Sequence, residues 1–159
     1  MANKVQKLIL ALLCLLLLLE PSSQQDTLVQ GHEITELVSG GQGNFRLGFL
    51  GLARNNYYLG IWYNDNRAPL RENVLWVANR DTPIFNNSGS SLTIDGYGNL
   101  KISYNGGLSI VLYSGQASND TAATLLDNGN FVLREQSTGR QLWQSFDYPT
   151  DTLLPGMKL

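Results

Sequence analysis

Few residues of this sequence combine the type and the spacing that catalysis requires. The chain has one histidine, His32, in the polar stretch QGHEITE, and a pair of carboxylates, Asp147 and Asp151, in FDYPTD. A histidine serves as the general base in a Ser-His-Asp arrangement, and a carboxylate pair can hydrolyse a glycosidic bond. Because Pro149 lies between the two aspartates, we interpret them as turn caps, and we expect His32 on an exposed strand. No histidines and cysteines are clustered at the spacing of a metal site. The residue types therefore predict binding, with no catalysis, metal or cofactor.

A different polar pattern, glycine followed by asparagine, recurs three times. The copies are Gly43-Asn44-Phe45-Arg46-Leu47, Gly98-Asn99-Leu100-Lys101-Ile102 and Gly129-Asn130-Phe131-Val132-Leu133. Because Gly and Asn tolerate positive φ, we expect tight turns here, each leading into a strand. A second strand with a large aromatic residue follows each copy. The repeated unit is therefore turn, strand, loop and strand.

The elements that must position these residues are predicted to be β-strands. Short runs such as NFRLGFL, YYLGIWY and NLKISY alternate or are rich in β-branched and aromatic residues, and Gly, Asn, Asp and Ser separate them. Three β units predict a closed, pseudo-symmetric arrangement in which each unit buries one face against the others. We expect the large aromatic residues in the shared centre, although an exposed platform for sugar stacking is the alternative. These aromatic residues are Trp62, Trp76, Tyr113 and Trp143.

The first residues of the chain are predicted to be a targeting signal outside the fold. Lys4 and Lys7 precede the apolar run LILALLCLLLLL, residues 8–19, and polar residues follow it. A membrane span needs roughly 20 apolar residues, so residues 1–23 are predicted to be a cleavable secretory signal peptide. Residues 26–159 then form one domain of ordinary size.

The composition of the remaining chain is that of a secreted domain held together by its core. Removal of residues 1–23 takes away Lys4, Lys7 and Glu20, which changes the net charge from −2 to −3, and it takes away Cys14, the only cysteine. Disulfides are therefore excluded as a source of stability. The mild acidity, with no basic stripe, argues against nucleic acid as a partner. Two sequons predict N-linked glycans on Asn86 and Asn119.

Longer motifs in the sequence resemble one family. LGIWYN, VLWVANRDTPI, LLDNGNFVLRE and above all LWQSFDYPTDTLLPGMKL are similar to the bulb-type (mannose-binding-type) lectin domain of plant S-locus glycoproteins and G-type lectin S-receptor-like serine/threonine kinases. The resemblance covers about residues 26–159. It implies an all-β fold, a β-prism of three four-stranded sheets around a pseudo-threefold axis.

The resemblance also implies a place for sugar binding, the strand motif Gln-x-Asp-x-Asn-x-Val-x-Tyr. Alternate residues face one side of a strand, so its polar members can line up against sugar hydroxyls while Val packs on the ring. Carried over to this sequence, the motif is eroded in all three repeats. In the first repeat its five positions are occupied by Asn55, Tyr57, Leu59, Ile61 and Tyr63. In the middle repeat they are occupied by Asp95, Tyr97, Asn99, Lys101 and Ser103, and in the last repeat by Leu126, Asn128, Asn130, Val132 and Arg134.

The vestigial candidates for carbohydrate binding are Asp95, Asn99, Asn128, Asn130, Val132 and Tyr63. Two explanations of Asn99 and Asn130 are open: they remain from mannose sites, or the fold needs Gly-Asn for its turns. The second is preferred, because Leu126 cannot hydrogen-bond a hydroxyl and Lys101 cannot make the apolar contact of Val.

The function expected from these features is recognition on the extracellular face of the plasma membrane or in the secreted state. The ligand is expected to be a mannose-type glycan or a protein or peptide, contacted through loops such as YNDNRAPLREN. The alternative is a non-signalling secreted decoy that binds no sugar, since the kinase signatures of the family are absent from this sequence. A homodimer is also expected, because soluble relatives complete the prism by exchanging a terminal strand.

Overall fold

The chain folds into β-strands, as its short alternating runs predict. The computed structural model describes residue 6 and residues 25–53, 55–65, 72–86, 89–115, 120–150, 152 and 154–157. The proposed signal peptide lies outside the described residues except for Gln6, and it stays a prediction. No helix in the described ranges has the length and hydropathy needed to cross a membrane.

Thirteen strands and one short 3₁₀ helix make up the described regular structure. The strands are β1 (Thr27–Val29), β2 (Glu33–Ile34), β3 (Glu36–Val38), β4 (Phe45–Ala53), β5 (Asn56–Tyr63), β6 (Val74–Val77), β7 (Ile84–Phe85), β8 (Ser91–Ile94), β9 (Leu100–Tyr104), β10 (Leu108–Tyr113), β11 (Thr121–Leu125), β12 (Phe131–Glu135) and β13 (Gln141–Gln144). The 3₁₀ helix, Ser145–Asp147, follows β13 directly.

The strands form three antiparallel sheets, one for each copy of the Gly-Asn unit. The first sheet has the order β3-β4-β5-β6, the second β10-β9-β8-β2 and the third β1-β11-β12-β13. The predicted all-β prism of three sheets is thus confirmed. The first sheet differs in size, because β7 also pairs with β5 and gives it a fifth strand.

The N-terminal segment, residues 27–38, contributes one strand to each of the three sheets. Strand β1 pairs with β11, β2 with β8 and β3 with β4. Each of these strands also places one apolar side chain in the common core: Leu28, Ile34 and Leu37 are 0%, 9% and 1% exposed. A fully buried side chain of this size contributes about 1.5–3 kcal/mol, so this short segment is a substantial part of the core.

Three of the four aromatic residues predicted for the shared centre contact the core. The rings of Trp76 and Trp143 are both buried and meet edge to face, with centroids 6.0 Å apart. Tyr113 is half-buried and packs against the same cluster. Trp62 does not join them, so the prediction is wrong for this residue. Successive residues of a strand face opposite sides, and because Ile61 is fully buried, Trp62 points to the outer face of its sheet.

The stretch that follows β13 covers the free edge of β6. The Trp76 indole N–H donates to the Tyr148 carbonyl at 2.8 Å, and the Val77 N–H donates to the Thr150 hydroxyl at 2.9 Å. Farther along, the Thr152 N–H donates to the Leu75 carbonyl at 3.3 Å. The chain thus closes the outer edge of its first sheet with its own residues.

We expect the close approach of strands at Gly60 to make this glycine irreplaceable. A Cβ there would lie 2.7 Å from Leu50 Cδ1 and 2.9 Å from the Trp76 carbonyl oxygen. Backbone cannot move aside cheaply, so Gly60→Ala should lower the free energy of unfolding by about 1–3 kcal/mol. Urea unfolding followed by tryptophan fluorescence measures this change. Gly96→Ala is the matched control, because a Cβ there meets nothing within 4 Å. Equal stability of the two variants would contradict the expectation.

Candidate functional site

The three Gly-Asn copies all form turns between paired antiparallel strands. Residues 39–44 join β3 to β4, residues 95–99 join β8 to β9, and residues 126–130 join β11 to β12. In each turn the glycine has positive φ, 65° at Gly43, 79° at Gly98 and 83° at Gly129, and the next strand begins directly after the asparagine. A residue with a Cβ is strained in this conformation, which explains the glycine in all three copies.

In the middle turn, the Asp95 carboxylate is surrounded by donors from the same turn. Its Oδ1 accepts from the N–H groups of Tyr97 and Asn99 at 3.0 and 3.1 Å. Its Oδ2 accepts from the Asn99 amide at 2.9 Å and from the Lys101 ammonium at 3.1 Å. A carboxylate offers roughly four acceptor positions, so these contacts use them all. A sugar hydroxyl would have to displace one of them.

These contacts also decide the charge of Asp95. Partial burial raises its pKa, but the hydrogen bonds from Asn99, Lys101 and Tyr97 together outweigh burial and lower the pKa from 3.8 to about 2. Asp95 is therefore ionised at neutral pH, and its charge is balanced by Lys101. Lys101 takes the motif position where Val would contact a sugar ring, so this turn presents an ion pair there.

Asn99 links the middle turn to the end of β10. Its side-chain carbonyl accepts from the Gly115 N–H at 2.8 Å while its amide donates to Asp95. Gly115 packs so closely on the turn that a Cβ there would overlap the backbone of Gly98. Asn99 thus braces the Asp95 carboxylate of its turn against the backbone of the segment after β10.

In the last turn, Asn130 is buried, with only 6% of its surface exposed. Its amide donates to Gln144 Oε1 at 2.8 Å. Its carbonyl oxygen accepts from the Ser145 hydroxyl at 3.2 Å and from the Phe146 N–H at 3.3 Å. Asn130 therefore makes the same kind of brace as Asn99, and in both cases the N–H comes from a residue sixteen positions later.

The other two candidates of the last turn also face inward or into the turn. Asn128 accepts the Asn130 N–H through its Oδ1 at 3.0 Å, which closes the turn. Val132 is 1% exposed, so a ligand cannot reach its methyl groups in this structure. The structure brings together Asn128 and Asn130, but Asn128 is an exposed turn residue and Asn130 belongs to a buried network.

The positions predicted for the first repeat, Asn55 to Tyr63, lie on β5 and the turn before it. Strand β5 is the counterpart of β9 and β12, because β3, β2 and β1 all come from the N-terminal segment and pair with β4, β8 and β11. Two of the predicted positions, Leu59 and Ile61, are fully buried in the core, so a ligand cannot reach them in this structure. The first Gly-Asn copy lies one strand earlier, on the turn from β3 to β4.

Asn44, which the sequence prediction missed as a site residue, differs from its two counterparts because its side chain is exposed. Its amide makes only a long contact of 3.4 Å with Gln42 Oε1. The bracing position is taken by a different residue, Asn64, whose amide donates to the Gly43 carbonyl at 2.7 Å and whose own N–H donates to the Asn44 carbonyl at 2.7 Å. The amide of Asn44 is therefore the most accessible of the three.

A groove of about 530 Å³ lies beside this exposed asparagine. We call it the Asn44 groove, and its lining residues are Asn44, Phe45, Tyr63, Asn64, Asp65, Asn73 and Asp127. Tyr63 is 40% exposed, and Phe45 supports its ring from behind at a centroid distance of 5.2 Å. Of the six residues predicted from the sequence for sugar binding, Tyr63 alone lies in this groove.

The polar groups of the Asn44 groove come from two sheets. Asp127 belongs to the last turn and accepts the Gly41 N–H of the first turn at 2.8 Å through its Oδ1. The side-chain oxygen of Asn64, Oδ1, accepts from Arg46 Nε at 2.6 Å, which fixes the orientation of the side-chain amide. Amides, carboxylates and an aromatic face in one concave site are the groups that hold a polar, hydroxyl-rich ligand.

The remaining predicted residues are placed as follows. His32 is exposed in the loop between β1 and β2, where its Nδ1 lies 3.3 Å from the Gln30 carbonyl. Asp147 is exposed and accepts from the Gln144 amide at 2.9 Å. Asp151 and Asn119 lie outside the described residues. Asn86 is exposed at the end of β7, and its glycosylation stays a prediction.

Loss of the Asp95 charge should cost stability in a pH-dependent way. Because the folded pKa lies below the unfolded value, the ionised carboxylate stabilises the fold above about pH 4, and this stabilisation disappears as the pH falls toward 2. We expect Asp95→Asn to lower the free energy of unfolding by about 1–2 kcal/mol at pH 7 and much less at pH 2.5. Urea titrations at both pH values measure this difference, with Asp81→Asn, an exposed carboxylate after β6, as the control. A cost that does not change with pH would refute the assignment.

Asn130 and Asn44 should differ in how much stability is lost when each is replaced by alanine. Asn130→Ala leaves buried donors and acceptors unpaired, so we expect a loss of about 2–3 kcal/mol in the free energy of unfolding. Asn44→Ala removes an exposed side chain and should change stability by less than about 0.5 kcal/mol. Thermal and urea unfolding of both variants test this order, and similar losses would show that burial does not distinguish the turns.

A comparison with known protein families and structures agrees with this architecture. The family model described as D-mannose binding lectin matches residues 73–159. The chain also resembles the Japanese Marasmius oreades lectin, with a TM-score of 0.56 and 15% identity over 76% of this chain and 90% of that one. At this identity the likeness supports the fold alone.

Relatives with higher identity come from plants. The G-type lectin S-receptor-like serine/threonine-protein kinase CES101 of Arabidopsis thaliana is 45% identical over 144 residues, which is 86% of this chain and 16% of the kinase. An S-locus-specific glycoprotein of Brassica oleracea is 44% identical over 133 residues, 77% of this chain and 28% of that protein. The chain thus spans less than a third of the length of these relatives. The matched domain, the three sheets and the identities confirm the resemblance drawn from the motifs: the chain belongs to the bulb-type, D-mannose binding lectin family and is similar to the lectin region of G-type lectin S-receptor-like kinases and S-locus glycoproteins.

Proposed function

We propose that this lectin domain is an extracellular recognition module that binds a ligand without transforming it. It would serve as the ectodomain, or as a secreted form, of a plant receptor-like kinase. The similarity to the lectin regions of such kinases supports this proposal, and so does the apolar run that predicts a secretory signal. The described residues contain no group of three or more His, Cys, Asp or Glu side chains that could hold a metal ion.

The ligand that the geometry supports best is a mannose-type glycan held in the Asn44 groove. The observation that carries this proposal is the exposure of Asn44 next to the exposed ring of Tyr63. The Tyr63 ring can pack against the apolar face of a sugar, and the amide of Asn44 can bond its hydroxyls. The carboxylates of Asp65 and Asp127 add acceptors at the groove rim.

The affinity of such a site is expected to be low. The groove is shallow and open to water, and one ring with a few hydrogen bonds gives a Kd of about 1 mM or weaker, which corresponds to about 4 kcal/mol. Clustered glycans on a surface would be held more tightly than a single sugar, because several copies of the module can bind together.

Glycan titrations of the folded domain test this proposal. Saturation-transfer NMR with mannose oligosaccharides should show binding that Tyr63→Ala weakens by about fivefold, the effect of losing roughly 1 kcal/mol of ring contact. Asn44→Ala should also weaken binding, while its stability stays close to that of the parent chain.

Tyr97→Ala is the matched control for this titration. Tyr97 is an exposed tyrosine, 70% accessible, on the middle turn beside Asp95 and Asn99. If Tyr97→Ala abolished binding while Tyr63→Ala did not, the sugar would occupy the middle turn instead. If no mannose oligosaccharide bound at millimolar concentration, the glycan part of the proposal would be wrong.

A protein or peptide ligand, or a non-signalling decoy role with no sugar binding, is the second candidate function. One observation favours it: the polar groups of Asp95, Asn99 and Asn130 form hydrogen bonds within the fold. If the domain bound no glycan but did bind a receptor protein, this second function would be supported. Reading the transcript beyond the codon for Leu159 would distinguish a kinase ectodomain from a separate decoy.

A further inference from the structure

Strand β10 is the longest strand at the edge of a sheet in the described structure. It has six residues, Leu108–Tyr113, whereas the other terminal strands of the three sheets have two to four. Its only ladder is the antiparallel pairing with β9. Along the described chain, no backbone hydrogen bond joins its outer edge to another segment. Its outer N–H and C=O groups are thus available for pairing with a further strand.

Other edges of the prism are treated differently. Thr150 and Thr152 cover β6, and the Val38 N–H of β3 donates to the Gln25 carbonyl at 3.0 Å. Natural proteins also protect open edges with charged residues or proline. Strand β10 has neither, because its sequence is LSIVLY. Its one irregularity is a bulge between Val111 and Tyr113, which leaves Leu108–Val111 as regular ladder.

The side chains of β10 are apolar and unusually exposed. Leu108 and Val111 are 56% and 53% exposed, which makes them two of the six large hydrophobic residues exposed in the described structure. A groove of about 440 Å³ continues from this strand. We call it the β10 groove, and it is lined by Ile110, Val111 and Leu112 together with residues 76–82, Trp143 and residues 148–150. The ring of Tyr148, 56% exposed, stacks on Trp143 at 5.8 Å beside this strand.

We propose that β10 pairs antiparallel with β10 of a second copy of this chain, so that the second sheets of two molecules become one continuous sheet. The partner strand would satisfy the open backbone groups of Leu108–Val111. Its apolar side chains would cover the β10 groove and remove Val111 and Tyr148 from water. This interface differs from the expected exchange of a terminal strand, because the residues after β13 pack on β6 of their own molecule.

A second copy is the occupant that the chemistry of the edge favours. The strand carries no charge that would select a charged partner, and an uncharged apolar strand is complementary to itself. Arg80 and Asp81 both line the β10 groove, so each copy brings both signs. In a two-fold arrangement the same patch meets itself, and opposite charges of the two copies can face each other. This inference does not depend on glycan binding.

Two-fold symmetry imposes one further condition on the pairing. Residues opposite each other in an antiparallel ladder point to the same face of the sheet, and the side-chain period is two. A two-fold axis normal to the sheet leaves each side chain of β10 on the same face of the sheet in both copies. Residues that lie opposite each other must therefore be an even number of positions apart in the sequence. It follows that one residue of β10 lies directly opposite its own copy. For a pairing that stays within the regular residues 108–111, this residue is Ser109 or Ile110.

Substitution of an exposed residue of β10 tests whether this strand forms the dimer interface. Val111→Lys places like charges across the pairing and should raise the dimer dissociation constant about tenfold or more without changing the fold. Phe85→Lys on β7 is the matched control, because Phe85 is 64% exposed on another sheet and should leave the dimer unchanged. Multi-angle light scattering from 1 to 200 µM measures both. A monomer at every concentration, or equal loss in the two variants, would overturn the proposal.

Single cysteines test the register. The full chain carrying Cys14→Ser has no other cysteine, so Ser109→Cys, Ile110→Cys and Val111→Cys each introduce one thiol. A disulfide needs Cα atoms about 4.4–6.8 Å apart, which only the self-opposed position satisfies. Mild oxidation should therefore cross-link one of the three variants far faster than the other two. Cross-linking at similar rates in all three would indicate random collision and would refute the pairing.

Discussion

The backbone pairing of residues 27–38 with three different sheets is the constraint on which the rest of the structure depends. Each repeat supplies three consecutive strands, and a sheet that small has only a marginal apolar face of its own. Strands β1, β2 and β3 complete the sheets one after another and bring Leu28, Ile34 and Leu37 to the common axis. No sheet can bury its face until the others are present. We therefore expect the three repeats to fold as one cooperative unit.

This shared core explains why one motif has two different roles. Asn99 and Asn130 lie where a later segment returns over the turn, and each accepts a backbone N–H from that segment. At the first turn, Asn64 contacts the Gly43 carbonyl instead, so Asn44 stays exposed. The Gly-Asn pair is therefore needed for the turn in every repeat, whereas the chemistry of the asparagine depends on which chain segment passes above it.

Much of the fold could be predicted from the sequence, because turn residues and strand periodicity act locally. The Gly-Asn turns, the strands and the threefold arrangement follow from such signals. The role of residues 27–38 could not be predicted, since strands of two or three residues have no period to detect. Trp62 was misplaced because its sequence neighbourhood is as apolar as that of Trp76, and only the register of β5 decides which face it takes. The Asn44 groove depends on Asp127 of another sheet, which no local pattern reveals.

The two surfaces with unused binding chemistry lie on different parts of the molecule. The Asn44 groove is built from the first sheet and the last turn, whereas β10 belongs to the second sheet, and the two surfaces share no residue. Pairing through β10 would therefore leave the groove of each copy open. If the groove binds glycans as proposed, two grooves fixed in one dimer would bind a clustered glycan with an effective concentration set by their spacing, which would strengthen a weak single contact. A monomer with one shallow groove would respond to free sugar and to a glycan-coated surface almost alike, but a dimer would respond mainly to the surface.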